Sequence, residues 1–166
     1  MGMIANYQPI TNDELEELKK QDDLYEYVED LQDDENLDIC DIDKMWDALH
    51  FLLTGKPSRM PIENDLLSEA IVGQFTVSEE DEEFISYTQA DRVMEIAEAL
   101  KKVDIEKYIS KFNMNEYSKN DIYPNIWGHK DEEDEIKDDL RGYFASLENF
   151  YVRTANKGCG VLVSIY

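Results

Sequence analysis

The chain has 166 residues with 16 basic and 39 acidic side chains, which give a formal net charge of −23, and 42% of its residues are hydrophobic. This length and apolar content predict one domain over residues 1–166, with a core that needs neither disulfides nor a metal, and they exclude a disordered acidic tail. The charge argues against nucleic-acid binding through the phosphate backbone, because that requires Lys and Arg to displace counterions.

The first forty residues predict a strand and two short helices. Residues 2–8 are free of turn signals, and we interpret them as the first strand. Thr11 and Glu14 have the spacing of a capping box, in which each side chain binds the backbone amide of the other residue. The helix that begins there turns Leu15 and Leu18 inward, and a second helix precedes an acidic loop over residues 32–41. The apolar positions of the second helix are Leu24, Tyr27, Val28 and Leu31.

The middle of the chain predicts two helices and a pair of strands. Apolar spacing over residues 43–54 indicates a helix that Gly55 ends in the left-handed conformation. We expect three residues of this helix in the core: Trp46, Leu49 and Leu53. Residues 67–77 predict a short helix that bends at Gly73 into a strand, and residues 84–87 predict the strand that pairs with it, with an acidic connection between the two.

The remaining residues predict three helices, a loop and a final strand. Thr88 is expected to cap a helix with an apolar face, and Asp104 to begin another. An extended loop over residues 122–127 precedes a long helix over residues 131–156. The apolar run 161–165 predicts a strand buried on both faces. The fold class is therefore α+β, a compact helix-rich domain with a small, mostly antiparallel sheet.

The acidic residues are concentrated in three runs. Residues 13–43 contain 15 acidic and two basic side chains, residues 79–83 contain five acidic side chains, and residues 131–139 contain seven. Such runs are typical of solvated helix starts and loops, and they also suit a docking surface for a basic partner. Calcium binding fits poorly, since residues 38–43 lack the Gly and the final Glu of an EF-hand loop.

Composition also suggests a compartment. Cys40 and Cys159 belong to no metal or redox motif, and no basic and apolar secretory leader is recognisable. The longest apolar run, Phe51 to Leu53, is far shorter than a membrane span. We therefore expect a cytoplasmic protein with free thiols and no membrane contact, while its oligomeric state stays open.

One face of the predicted helix over residues 43–54 combines polar side chains that could act in catalysis or binding. At 100° per residue, Asp43, Asp47, His50 and Thr54 share a face beside Trp46. A carboxylate three residues before a histidine can fix the histidine tautomer and raise its pKa, as in a general base or a metal ligand. A boundary histidine held by local hydrogen bonds has the same pattern. The candidate ligand-contacting residues are Lys44, Trp46, Asp47, His50, Thr54 and Tyr123.

Catalytic and cofactor motifs are not recognisable in the sequence. It contains no GxSxG, HExxH, GxxxxGK[ST] or strand-following GxGxxG pattern. His50 lacks the further ligands of a zinc site, and a di-iron site would need a second carboxylate-x-x-His copy. We predict no cofactor and no metal, and the catalytic residues, if any exist, stay unidentified.

The stretch from Lys44 to Gly55 resembles the signature of the YfbM-like family, a bacterial family built on domain of unknown function 1877. Further matching pieces occur in the same order along nearly the whole chain: Met1-Gly2-Met3, Leu67 to Gly73, Phe84 to Thr88, and Ile122-Tyr123-Pro124. The resemblance implies a compact α+β domain of the bacterial cytoplasm. It implies no reaction, and the acidity of residues 13–43 departs from what the family leads us to expect.

Two functions agree with these observations. The first is a non-enzymatic acidic interaction module that binds a basic protein partner, by analogy with small bacterial immunity proteins. The second is an enzyme or small-molecule-binding protein whose pocket is formed by Trp46, His50 and Tyr123. A concave site that joins these three residues would favour the second function, and a flat acidic face would favour the first.

Overall fold

The computed structural model describes residues 2–80 and 83–166, in which a five-stranded sheet carries helices on both faces. The strands are β1 (Ala5–Ile10), β2 (Cys40–Asp41), β3 (Phe75–Glu80), β4 (Glu83–Thr88) and β5 (Gly160–Ile165). Their order is β2-β1-β5-β4-β3, and every neighbouring pair is antiparallel. The predicted α+β fold class with a small antiparallel sheet is confirmed.

The described residues form seven helices of 5 to 12 residues and one long helix of 24 residues. They are α1 (Asn12–Leu18), α2 (Leu24–Gln32), α3 (Trp46–Thr54), α4 (Leu66–Val72), α5 (Ala90–Lys101), α6 (Ile105–Ile109), α7 (Met114–Lys119) and α8 (Glu133–Asn156). Short 3-10 turns over Asp43–Met45 and Lys130–Glu132 lead into α3 and α8.

Local sequence signals explain several helix ends. The capping box is confirmed, since Thr11 Oγ1 accepts the Glu14 amide at 3.2 Å and Glu14 Oε1 accepts the Thr11 amide at 3.1 Å. Gly55 ends α3 with φ of 73°, as predicted. The acidic run over residues 131–139 places Glu133, Asp134 and Glu135 in the first turn of α8, where they stabilise the positive end of the helix dipole.

The core has two parts, one on each face of the sheet. Every residue of β5 is buried, which confirms the strand predicted to be covered on both sides. Val163 belongs to the larger cluster, which α3, α4, α5 and α8 form on one face. Leu162 belongs to a smaller cluster on the opposite face, whose other members are Ile10, Leu15, Leu18, Val28 and Ile85. The thin layer of α1 and α2 therefore covers one face, and most of the chain covers the other.

The structure corrects the predicted start and packing of α3. The α-helix begins at Trp46, because Asp43 has a left-handed φ of 50° and the residues after it form a 3-10 turn. Leu49 and Leu53 are buried as expected. The prediction for Trp46 was wrong, because its side chain is only half-buried and packs against the edge of the core.

Other boundaries also differ from the prediction. The first strand runs over Ala5–Ile10, and the predicted acidic loop contains the short strand β2. Thr88 does not cap α5, since it is the last residue of β4 and its Oγ1 accepts the Gln74 amide, while Gln89 stands at the N-cap. Helix α7 was not predicted. Asp81 and Glu82, in the predicted acidic connection, lie outside the described residues.

Candidate functional site

His50 is fully buried and uses both ring nitrogens in hydrogen bonds. Nδ1 lies 2.7 Å from the carbonyl oxygen of Lys56, so Nδ1 carries the proton, and Nε2 lies 2.8 Å from Ser68 Oγ, which donates to it. Ser68 Oγ in turn accepts the Ile62 amide at 3.0 Å. His50 therefore joins α3 to the following loop and to α4.

Asp47 does not pair with His50, as the sequence had suggested. Its Oδ1 accepts the Ser58 amide at 2.7 Å, and its Oδ2 accepts the Tyr123 amide at 2.8 Å. Burial of the imidazole lowers the pKa of His50, and the Lys56 carbonyl and the Asp47 charge only partly oppose that shift. Of the two interpretations left open by the sequence, the structure therefore favours a boundary histidine held by local hydrogen bonds over a carboxylate–histidine pair.

Trp46 and Tyr123 form an aromatic pair over the N-terminal segment. Their rings stack with centroids 5.3 Å apart, Trp46 Nε1 donates to the Met3 carbonyl at 3.1 Å, and the Met3 amide donates to Tyr123 Oη at 2.8 Å. A Cβ on Gly2 would collide with the flexible end of the Lys44 side chain and with Tyr123 Oη, so both side chains would have to shift to admit one. Lys44 itself is exposed at the edge of this pair.

Thr54 closes the last turn of α3. Its Oγ1 donates to the His50 carbonyl at 2.8 Å and accepts the Lys56 amide at 3.1 Å. Asp47, His50 and Thr54 therefore share the predicted face of α3, whereas Asp43 lies before the helix. The three side chains on this face hold the surrounding loops. The prediction that these six residues contact a ligand stays a prediction.

A cleft of about 520 Å³ lies beside this scaffold. Its floor includes Phe84 of β4 and Ile165 of β5, which are opposite each other, and Glu79 of the edge strand β3 is opposite Phe84 at the end of this cross-strand row. One wall contains Met3 and Trp46. The rest of the lining includes residues of the 58–64 loop and of α4, among them Arg59, Glu63, Ser68 and Glu69. His50 and Tyr123 do not line the cleft and reach it only through Ser68 and Trp46.

Carboxylates dominate the charge of the cleft. Glu63 and Glu79 are exposed at its edges, and Glu69 is buried in its wall. Arg59 is the only basic residue among the described residues that line the cleft, and its Nη2 donates to the Asn120 carbonyl at 2.9 Å. Arg92 Nε binds Glu69 Oε2 at 2.7 Å from the side of α5. The cleft therefore combines an apolar floor with several negative groups.

Metal, thiol and membrane chemistry find little support in the described part of the chain. There, no group of three or more His, Cys, Asp and Glu side chains could hold a metal ion. Both cysteines are free, and burial raises the pKa of the Cys40 thiol to about 12, which suppresses its nucleophilic thiolate. Over the same ranges, none of the helices has the length and apolarity to cross a membrane.

Sequence reasoning missed most of the cleft. Its walls come from segments far apart in the chain, so the spacing of residues along one helix could not reveal them. One local signal was present: Ser68 and Glu69 are polar residues in the middle of the apolar run of α4, and both are buried. Buried polar groups of this kind require specific partners and often mark a site.

Comparison with known proteins places the chain in a family. The family model for a domain of unknown function, DUF1877, matches residues 1–164. Protein YfbM of Escherichia coli strain K12 is 26% identical over 167 aligned positions, which cover 99% of each chain. The crystal structure of the Escherichia coli protein of unknown function YfbM superposes with a TM-score of 0.82 at 25% identity, covering 98% of this chain and 99% of that one. The chain therefore belongs to the DUF1877 family of domains of unknown function.

Proposed function

We propose that this protein is a non-enzymatic binding module of the cytoplasm that docks a basic segment of a partner protein in the cleft beside Trp46. The observation that carries the proposal is the placement of three carboxylates from separate elements, Glu63, Glu69 and Glu79, around an apolar floor. Such a site suits side chains that have an apolar stem and a positive end.

The dimensions and the charge of the molecule support this proposal. A volume of about 520 Å³ is within the usual range for binding pockets and accommodates a few side chains. The net charge of −23 attracts a basic partner over long distances and accelerates its association. A protein that neutralises a basic partner, in the manner of small bacterial immunity proteins, would have this charge distribution.

The enzyme alternative has less support. A pocket formed by Trp46, His50 and Tyr123 would need His50 at its surface, whereas His50 is buried and both its nitrogens are bound. Asp47, the nearest candidate acid or base, is bound to two backbone amides. These hydrogen bonds suit a structural role. The free cysteines fit the reducing conditions of the cytoplasm.

A peptide titration followed by NMR tests the proposal. The two tryptophans give separate indole N–H signals, one from Trp46 in the cleft wall and one from the buried Trp127. A peptide of alternating Lys and Ala should shift the Trp46 signal and leave the Trp127 signal unchanged. A peptide of alternating Glu and Ala should shift neither. If the Lys peptide leaves the Trp46 signal unchanged, the proposal is wrong.

A pair of matched variants separates the cleft from general attraction to an acidic protein. Glu63→Gln with Glu79→Gln removes two charges from the cleft edges, and Asp30→Asn with Asp33→Asn removes two exposed charges from the end of α2. The first pair should weaken peptide binding roughly fivefold and the second less than about twofold, at salt near 0.15 M. Equal losses would assign the binding to the overall charge and not to the cleft.

A further inference from the structure

Glu69 is the most deeply placed carboxylate of the cleft, and one of its oxygens is free. Its side chain is only 10% exposed. Arg92 Nε and Nη2 lie 2.7 and 2.6 Å from Oε2, so both contacts use the same oxygen. In the part of the chain that the structure describes, no donor binds Oε1, and this oxygen is not sealed from solvent. Glu69 is also one of the residues that line the cleft.

From this geometry, and resting on the proposed function, we propose that the cleft binds the ammonium group of a partner lysine on Glu69 Oε1, and that Arg92 makes the site selective for lysine over arginine. A guanidinium group binds a carboxylate best through two parallel hydrogen bonds, one to each oxygen. Arg92 occupies Oε2 and prevents that arrangement. An ammonium group is compact and can bind a single oxygen.

The local charges favour a single added cation. Arg92 contacts two carboxylates, Glu69 from one side and Glu95 at 2.8 Å from the other. This group of three side chains carries one net negative charge, so the group as a whole does not repel an added ammonium group.

The apolar floor suits the rest of a lysine side chain. Phe84 and Ile165 lie in the cross-strand row of the floor, and Trp46 stands in the wall. The four methylene groups of a lysine can bury against such surfaces while the charged end reaches the carboxylate. Glu63 and Glu79, at the edges, would contact further basic residues of the same segment.

A substituted peptide series tests the selectivity. One central position of an otherwise constant Lys-Ala peptide is changed to Arg or to Nε-acetyl-lysine, and the dissociation constant is measured from the Trp46 indole signal. The Lys peptide should bind at least about fivefold more tightly than the Arg peptide, and acetylation should remove this advantage entirely. Glu69→Gln should bind the Lys and Arg peptides equally, whereas Glu98→Gln, a control on the solvent side of α5, should behave as wild type.

A second variant reverses the selectivity. Arg92→Met frees Glu69 Oε2, so the carboxylate can bind a guanidinium through both oxygens, and the Arg peptide should become the tighter ligand. Thermal melting shows whether this variant folds. If it does not fold, the Glu69→Gln measurement alone tests whether Glu69 is the source of the lysine preference. Free spermidine is the final arm: if it binds as tightly as the Lys peptide and shifts the same signal, the ligand is a soluble alkylamine and the assignment to a protein lysine is overturned.

The outcomes separate this inference from the proposed function. If basic peptides shift the Trp46 signal but Lys and Arg bind equally to wild type, the lysine site is wrong and the docking proposal stands. If Glu69→Gln leaves the preference for Lys over Arg intact, Glu69 is not the residue that binds the ammonium group. If no basic peptide reaches the cleft, both proposals fail together.

Discussion

The two faces of the sheet are built in contrasting ways. On one face, α1 and α2 form a thin layer over a small apolar cluster, and this layer carries the most acidic stretch of the chain. On the other face, α3, α4, α5 and α8 form the larger cluster, and the cleft opens at the edge of this side. The density of negative charge and the concave site therefore lie in different parts of the molecule.

This difference shows that charge in a sequence is a weak guide to a site. Several acidic residues of the 13–43 run stabilise the fold: Glu14 completes a capping box, Asp23 caps α2, and Asp38 binds Arg153. The cleft has few carboxylates, but they surround an apolar floor. Geometry, more than number, distinguishes a binding surface from a solvated one.

The largest expected loss of unfolding free energy comes from a Leu→Ala substitution made in each of the two core clusters. Leu49 and Leu18 are both fully buried, the first in the large cluster and the second in the small one. Leu49→Ala should cost about 3–5 kcal/mol of unfolding free energy, and Leu18→Ala about 2–3 kcal/mol, because a thin layer collapses around a cavity more easily. Denaturant unfolding measures both values.

Hydrogen exchange sharpens this comparison. In the Leu18→Ala variant the amides of α2 should exchange at a lower opening free energy than those of β5, since the layer can open without the rest of the fold. In the Leu49→Ala variant the amides of the larger layer should lose protection together. Uniform loss of protection in both variants would contradict the idea of two distinct layers.

Local signals made much of the fold predictable. The capping box at Thr11, the Gly55 helix end and the continuous apolar run of β5 each depend on residues close in sequence. Helix α7 and strand β2 are too short to give a periodic pattern, and only their packing defines them. Trp46 was expected in the core because helix periodicity cannot show that a cleft opens beside it.

The candidate site was only half predictable for a related reason. The shared helix face of Asp47 and His50 follows from their spacing. Their partners do not, since Asp47 binds the Tyr123 amide from 76 positions away and His50 binds Ser68 from 18. Spacing indicated a carboxylate–histidine pair, but the carboxylate was already occupied by loop amides.

Asp47→Asn tests whether the scaffold beside the cleft depends on this carboxylate. An amide group can accept only one of the two backbone amides and turns a donor toward the other, so a buried N–H is left without an acceptor. We expect a loss of about 2–3 kcal/mol in urea unfolding. Asp30→Asn on exposed α2 should change stability by less than about 0.5 kcal/mol. Similar losses of stability in the two variants would show that the Asp47 carboxylate matters no more to the fold than an exposed carboxylate on the other face of the sheet.

His50 predicts a smaller, pH-dependent difference on the same side of the sheet. Burial lowers the pKa of His50 below its ordinary value of 6.5, so the unfolded chain binds more protons than the folded one as the pH falls below that value. Stability should therefore decrease on acidification from pH 6.5, by at most about 1.4 kcal/mol per pH unit. Unfolding free energies measured between pH 7 and pH 5 give this slope.

Two histidine variants identify the source of that slope. His50→Gln should be less stable at neutral pH but should lose the acid-side decrease, whereas His129→Gln, at an exposed position, should keep it. Protonation of carboxylates over the same pH range relieves repulsion and so stabilises the fold on acidification. This contribution is shared by the wild type and both histidine variants, so it cancels when their slopes are compared. An unchanged slope in His50→Gln would assign the pH dependence to other groups.

The smallest expected effect concerns salt and the acidic face. Screening shortens from about 30 Å at 0.01 M to about 8 Å at 0.15 M salt, so repulsion among the exposed acids of α1 and α2 should weaken and the melting temperature should rise by roughly 2–4 °C. Sodium and calcium should act alike at matched ionic strength, because Asp38 already binds Arg153 and Asp41 binds the Asp43 amide. Selective stabilisation by sub-millimolar calcium would reveal a specific carboxylate site.

The position of a carboxylate in its helix should decide whether neutralising it raises or lowers the melting temperature. Asp30 and Asp33 lie at the C-terminal end of α2, where negative charge opposes the helix dipole, so Asp30→Asn with Asp33→Asn should raise the melting temperature and reduce its dependence on salt. Asp134 and Glu135 lie in the first turn of α8, where negative charge is favourable, so Asp134→Asn with Glu135→Gln should lower it. Each pair removes the same net charge, and each of these exposed carboxylates should contribute about 0.3–0.5 kcal/mol. Shifts of the same sign in both variants would mean that overall repulsion, and not the local placement of the acids, governs the stability of this chain.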